Sequence, residues 1–118
     1  MLNEIREVLE GLNIGPVQYG RVTDNPELWN YVVFGRDRMS RSGTSKVDYN
    51  RYYTVVIVHE DYIPEGMEVE VMKALNDIKG LKVATEDIQY DYMIKNKSGI
   101  VVEAAVITLT EPLKGYML

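Results

Sequence analysis

Tyr52-Tyr53-Thr54-Val55-Val56-Ile57-Val58 decides how this chain folds, because all seven residues are aromatic or β-branched and such residues fit a pleated, buried surface. The segment is apolar on both faces, which predicts a central strand with something covering each side. Upstream, Trp29-Asn30-Tyr31-Val32-Val33-Phe34 has the same character and is closed by Gly35. Between the two strands, residues 36–48 are polar, small and mostly basic. Thirteen residues exceed the usual hairpin connection of about 2–5, so this stretch is expected to be a long mobile loop.

Working outward, Leu2, Ile5, Val8, Leu9 and Leu12 recur at helical spacing, with Glu4, Arg6, Glu7 and Glu10 on the other face. A helix is expected over 3–13, ended by Gly11 and Asn13-Ile14-Gly15-Pro16. Asp24-Asn25-Pro26-Glu27 reads as an N-cap signal for at most one helical turn. Downstream, Met67, Val71, Ala74, Leu75 and Ile78 form the stripe of a second helix over 65–79, with Val69 and Met72 off the stripe. Residues 82–94 alternate as a half-buried strand, Asn96-Lys97-Ser98-Gly99 supplies a turn, and 100–109 forms the last strand, stopped by Glu111-Pro112. Residues 112–118 are expected as a short tail.

The predicted order is α-β-β-α-β-β: a single α+β domain over 1–118, with a four-stranded twisted sheet of two β-hairpins and two helices packed on one face. Two helices cannot cover both sides of a sheet whose strands are apolar on both faces. The open face is therefore expected to be a subunit interface. Tyr53, Val55, Ile57, Val69, Met72, Arg51 and Glu103 are the candidate interface residues.

Composition limits the function classes. The chain has 118 residues, 46% hydrophobic, a net charge of −5 and no cysteine. One packed domain follows, with a radius of gyration of roughly 13–14 Å; disulfides, thiolate chemistry and Cys-ligated zinc are excluded. A pI near 4.9 gives no overall attraction to nucleic acid or anionic membrane. No apolar run reaches the roughly 20 residues of a membrane span, and the acidic start Met1–Glu7 does not resemble a signal peptide, so synthesis and folding in a cytoplasm are expected.

No recognisable catalytic constellation emerges. The single His59, next to Glu60, is read as a hydrogen-bonded strand-end residue rather than half of a dyad. Glu86, Asp87 and Asp91 are read as a solvated strand face rather than a hard-cation site. Glu103, between Val102 and Ala104, needs a partner if buried, and an arginine such as Arg51, in the same sheet or from another subunit, is the expected one. Gly35 and Gly43 lack the spacing of a phosphate loop. Arg36, Arg38, Arg41 and Lys46 concentrate positive charge in an acidic protein and are read as a partner-binding loop that orders on contact. Nine tyrosines against one phenylalanine favour protein interfaces, where a large contact area with a polar tip is useful.

The stretch Ser45 to Glu65, preceded by Trp29 to Gly35 and followed by Val69 to Leu75 and Glu103 to Lys114, resembles the tail terminator (tail completion) proteins of long-tailed bacteriophages and prophages. The resemblance covers most of the chain. It implies a homo-oligomeric ring, typically a hexamer, at the head-proximal end of the tail tube in the virion. Such a ring stops tube growth and presents the surface that joins the head connector or stopper protein. It implies no catalytic residues, cofactor, membrane or sequence-specific nucleic acid, and the basic loop would face the tail tube protein. A nucleic-acid or small-molecule binding module on a ferredoxin-like sheet is the alternative, although the basic surface and aromatic glycine-rich strands of the former are missing.

Overall fold

The computed structural model describes residues 1–21, 30–43, 47–84, 87–95 and 99–115. In chain order these form α1 (Leu2–Gly11), β1 (Val17–Tyr19), β2 (Tyr31–Arg41), β3 (Tyr49–Glu60), α2 (Met67–Asn76), β4 (Lys82–Val83), β5 (Tyr90–Lys95) and β6 (Ile100–Leu113). The sheet is six-stranded and mixed, in the order β1-β2-β3-β6-β4, with β5 also paired to β6.

The expected four-stranded sheet of two hairpins is therefore corrected. Two causes are visible in the register. Val17–Tyr19 adds a parallel edge strand against Val32–Phe34, too short for any period to reveal. Residues 82–94, expected as one strand, are two: β4 pairs with Leu109 and Thr110, and β5 with Ile100 to Ala105, one beyond the other along the same side of β6.

β3 is central as its composition requires, antiparallel to β2 on one side and β6 on the other. Alternation then divides its side chains between two faces. On one face Tyr53, Val55 and Ile57 pack with Val32, Phe34, Ala105, Ile107 and Leu109 against Ile5 and Leu9 of α1 and Val71 and Leu75 of α2. Full burial of each large aliphatic is worth about 1.5–3 kcal/mol, so this layer holds the helices on the sheet. On the other face Tyr31, Val58, Val102 and Ala104 form a second buried cluster with Val33 and Val56 beside it. That face is not the open apolar surface expected.

The mobile loop is the largest local correction. β2 continues through Arg41, paired with β3 as far as Tyr49, and Ser42 donates its N–H to the Asp48 carbonyl at 3.0 Å. β6 extends alongside to Leu113, opposite Tyr49. Residues 36–41 and 49–53 with 109–113 thus make a three-stranded arm, and the molecule measures 52 × 25 × 25 Å with a radius of gyration of 15.5 Å, above the expected value because the arm leaves the body. Glu111-Pro112 does not stop β6. Pro112 lies past the last residue paired with β4, where β6 is an edge and a missing N–H is tolerated.

Trp29, the 24–27 cap signal, Lys46, Glu86, the 96–98 part of the predicted turn and residues 116–118 of the predicted tail lie outside the described residues. Among the described residues no helix is long and apolar enough to cross a membrane.

Candidate functional site

The two ends of the long axis differ in chemistry. At the arm, a β-bulge between Arg36 and Arg38 inserts Asp37 and reverses the alternation. Beyond the bulge, Arg38 and Arg41 are three residues apart and so lie on opposite faces, each over the ring of its cross-strand partner. The Arg38 guanidinium is 4.0 Å from the Tyr52 centroid and that of Arg41 is 5.7 Å from Tyr49. Each stack contributes about 0.5–1 kcal/mol at an exposed site. Arg38 also pairs with Asp37 at 2.6 Å; in water such a pair adds at most about 1 kcal/mol. Their combined effect is to hold the guanidinium groups over the tyrosine rings on the two faces of the arm.

Arg51 lies directly opposite Glu111. The Tyr53 hydroxyl donates to Glu111 Oε1 at 2.8 Å, and burial, assisted by that carboxylate, holds the Tyr53 phenol above its ordinary pKa. An Arg51–Glu103 ion pair within the sheet is therefore absent. Glu103 is across from His59, eight residues farther along β3 than Arg51, or ~26 Å.

At the opposite end, Tyr62, Glu65, Gly66, Glu68, Tyr90, Tyr92 and Glu103 line a cleft of about 370 Å³ with Ile63. Gly66, at φ 90°, lets the chain turn from Ile63-Pro64-Glu65 into α2. Glu68 Oε1 accepts the Gly66 N–H at 3.2 Å and Oε2 accepts the Tyr90 hydroxyl at 3.2 Å. Glu103, 9% exposed, accepts the Ile63 N–H at 2.9 Å, which supplies the partner expected from arginine. The Tyr92 hydroxyl also bonds to Glu103, and this bond, with burial second, raises its pKa; for Tyr90, partial burial followed by Glu68 does the same. Three carboxylates without a lining base make the cleft attractive to a cationic group.

Beside the cleft runs β5, paired with β6 on one side and open on the other among the described residues. Tyr92 is 64% and Ile94 66% exposed, with Met93, Ile100 and Val101 exposed beside them. The strand expected to be half-buried over 82–94 is instead exposed at Tyr90, Tyr92 and Ile94. Residues 90–94 are exposed on both faces, although α2 reaches the strand through the Glu68–Tyr90 hydrogen bond. The cleft itself was missed; Tyr62 and the Tyr90/Tyr92 pair on one strand face were its only sequence signal.

Of the other candidates, Tyr53, Val55 and Ile57 are core residues under the helices and cannot meet another subunit. Val69 is exposed on α2, while Met72 packs on the core. His59 donates Nδ1–H to the Glu60 carbonyl at 3.0 Å. Asp87 precedes β5, so it does not share a strand with Asp91, and the described residues contain no cluster of three or more metal-ligating His, Cys, Asp or Glu side chains.

No family model and no curated protein sequence matches the chain. Among the solved structures that match, one aligns over 94% of this chain and 95% of its own length, at 12% identity and a TM-score of 0.41, under a name that gives no activity or partner.

Proposed function

We propose that this chain is a structural assembly subunit of the tail terminator kind, forming a ring that caps the head-proximal end of a phage tail tube and offers the head-joining surface. The observation that carries the assembly part is the open β5 edge with Tyr92, Met93 and Ile94 exposed on it. A bare apolar strand edge invites another chain. The protruding arginine arm at the other end supports the same reading, since a subunit with two unlike ends joins its neighbours through heterologous contacts. The tail-terminator part rests on the sequence resemblance. Capping needs one ring surface that matches the tube end and an opposite one the tube protein cannot extend.

The nucleic-acid alternative has weaker support. Stacking of bases needs free aromatic faces, and the arm tyrosines Tyr49 and Tyr52 already carry Arg41 and Arg38 on theirs.

Deleting the gene and imaging the particles tests the proposal. Overlong tails, or tails that fail to join heads, are expected. Tails of normal length that join heads normally would overturn it.

A further inference from the structure

We propose that the arm of one copy docks along the open β5 edge of the next, joining copies head to tail; the proposal rests on the ring reading above and identifies its contact. Edge strands in monomers are usually blocked by lysine, proline or a bulge. β5 carries Asp91 and, as its last residue, Lys95; from Tyr90 to Ile94 it has no lysine, proline or bulge. The arm offers a second open edge. β1 covers β2 only at Val32–Phe34, so among the described residues Arg36 to Arg41 pair with β3 alone.

Charge decides which edge meets which. The arm, residues 36–41, 49–53 and 109–113, holds four bases and two acids, net +2, in a chain of net −5, so the remainder carries −7. Two β5 edges brought together would set Asp91, Glu65 and Glu68 near their own copies, and two arms would set arginine against arginine. Arm against β5 instead brings Arg36, Arg38 and Arg41 to those carboxylates, with backbone pairing along the strands.

The arm cannot reach its own β5. Tyr49, at the arm end of β3, and His59, opposite Glu103, are ten residues apart, ~33 Å along the strand. The occupant is therefore a second copy, and repeating a heterologous contact closes a ring when the rotation permits.

The test measures self-association of three forms of the full chain by sedimentation: wild type, Arg38→Glu with Arg41→Glu, and Glu65→Lys with Asp91→Lys. Each double variant alone should raise the dissociation constant roughly tenfold or more while remaining folded, the arm variant with a modestly lower melting temperature because it loses the two arginine–tyrosine stacks. An equimolar mixture should regain wild-type assembly, because each variant's arm then complements the other's edge. If Asp91→Lys lowers the melting temperature, Ile94→Lys addresses the same edge.

Variants that assemble like wild type, a mixture that does not recover, or assembly that stops at a dimer would overturn the arm-to-edge contact and leave the ring reading standing. So would an arm variant that loses only its binding to tail tube protein. A wild-type chain that stays monomeric with tube protein present would overturn both.

Discussion

Glu103 illustrates how a single residue can be read correctly in its need and wrongly in its solution. A carboxylate between Val102 and Ala104 on a central strand must be partnered, and the partner is the Ile63 N–H, which no sequence spacing announces. Glu103→Ala leaves that N–H buried without an acceptor, so a loss of about 1–3 kcal/mol is expected. Glu103→Gln retains an oxygen and should cost less than half as much. Urea unfolding of both variants checks this; equal losses would mean that Glu103 acts through something other than its acceptor oxygen.

The tyrosines set the alkaline limit. Tyr31, Tyr53, Tyr90 and Tyr92 all have pKa values above the ordinary 10.0, chiefly through burial, or for Tyr92 through its bond to Glu103. A phenol whose pKa is raised on folding keeps its proton longer in the folded state than in the unfolded one. The resulting stability is intact below pH 10 and is lost as pH rises through the folded values. Absorbance titration should show late-ionising tyrosines together with falling stability above pH 10. Simultaneous ionisation of all tyrosines near 10, without loss of stability, would contradict the hydrogen bonds described.

At the scale of elements, β5 separates folding from assembly. Ile94 is 66% exposed, so Ile94→Lys should change folding stability by less than about 0.5 kcal/mol yet weaken self-association. A large drop in melting temperature would show instead that the edge is needed for the subunit itself. In hydrogen exchange, amides of Arg36 to Arg41 that bond to β3 should be protected in the isolated chain, as a paired strand requires. Uniformly fast exchange there would restore the loop expected from sequence.

These two elements also mark where the sequence stops being legible. β3 could be read because every residue from Tyr52 to Val58 favours a strand, and α1 and α2 because Ile5/Leu9 and Val71/Leu75 repeat at helical spacing. The arm could not. Its bulge shifts the alternation midway, and arginines on both faces remove the apolar/polar contrast that period-two reading depends on. β1 and β4, at three and two residues, are set by pairing with longer strands and carry no pattern of their own. The clustering of Arg36, Arg38 and Arg41 was legible as a run of basic residues. The acidic half of the site comes from α2, β5 and β6, which only the fold brings together.

At the scale of the molecule, a body of net −7 carrying an arm of net +2 implies salt-sensitive assembly, because exposed charges are screened within about 8 Å at physiological ionic strength. Association should weaken as salt rises from 0.05 to 0.5 M, approximate bounds within which that screening length shrinks severalfold. An unchanged dissociation constant would assign the contact to the apolar edge alone. Most direct of all is the native mass of the purified chain, measured with and without tail tube protein. Ring formation predicts a closed multiple of 13.5 kDa above the dimer, about 81 kDa for the six-membered ring typical of the resembled proteins. A mass of one or two chains under every condition would contradict it.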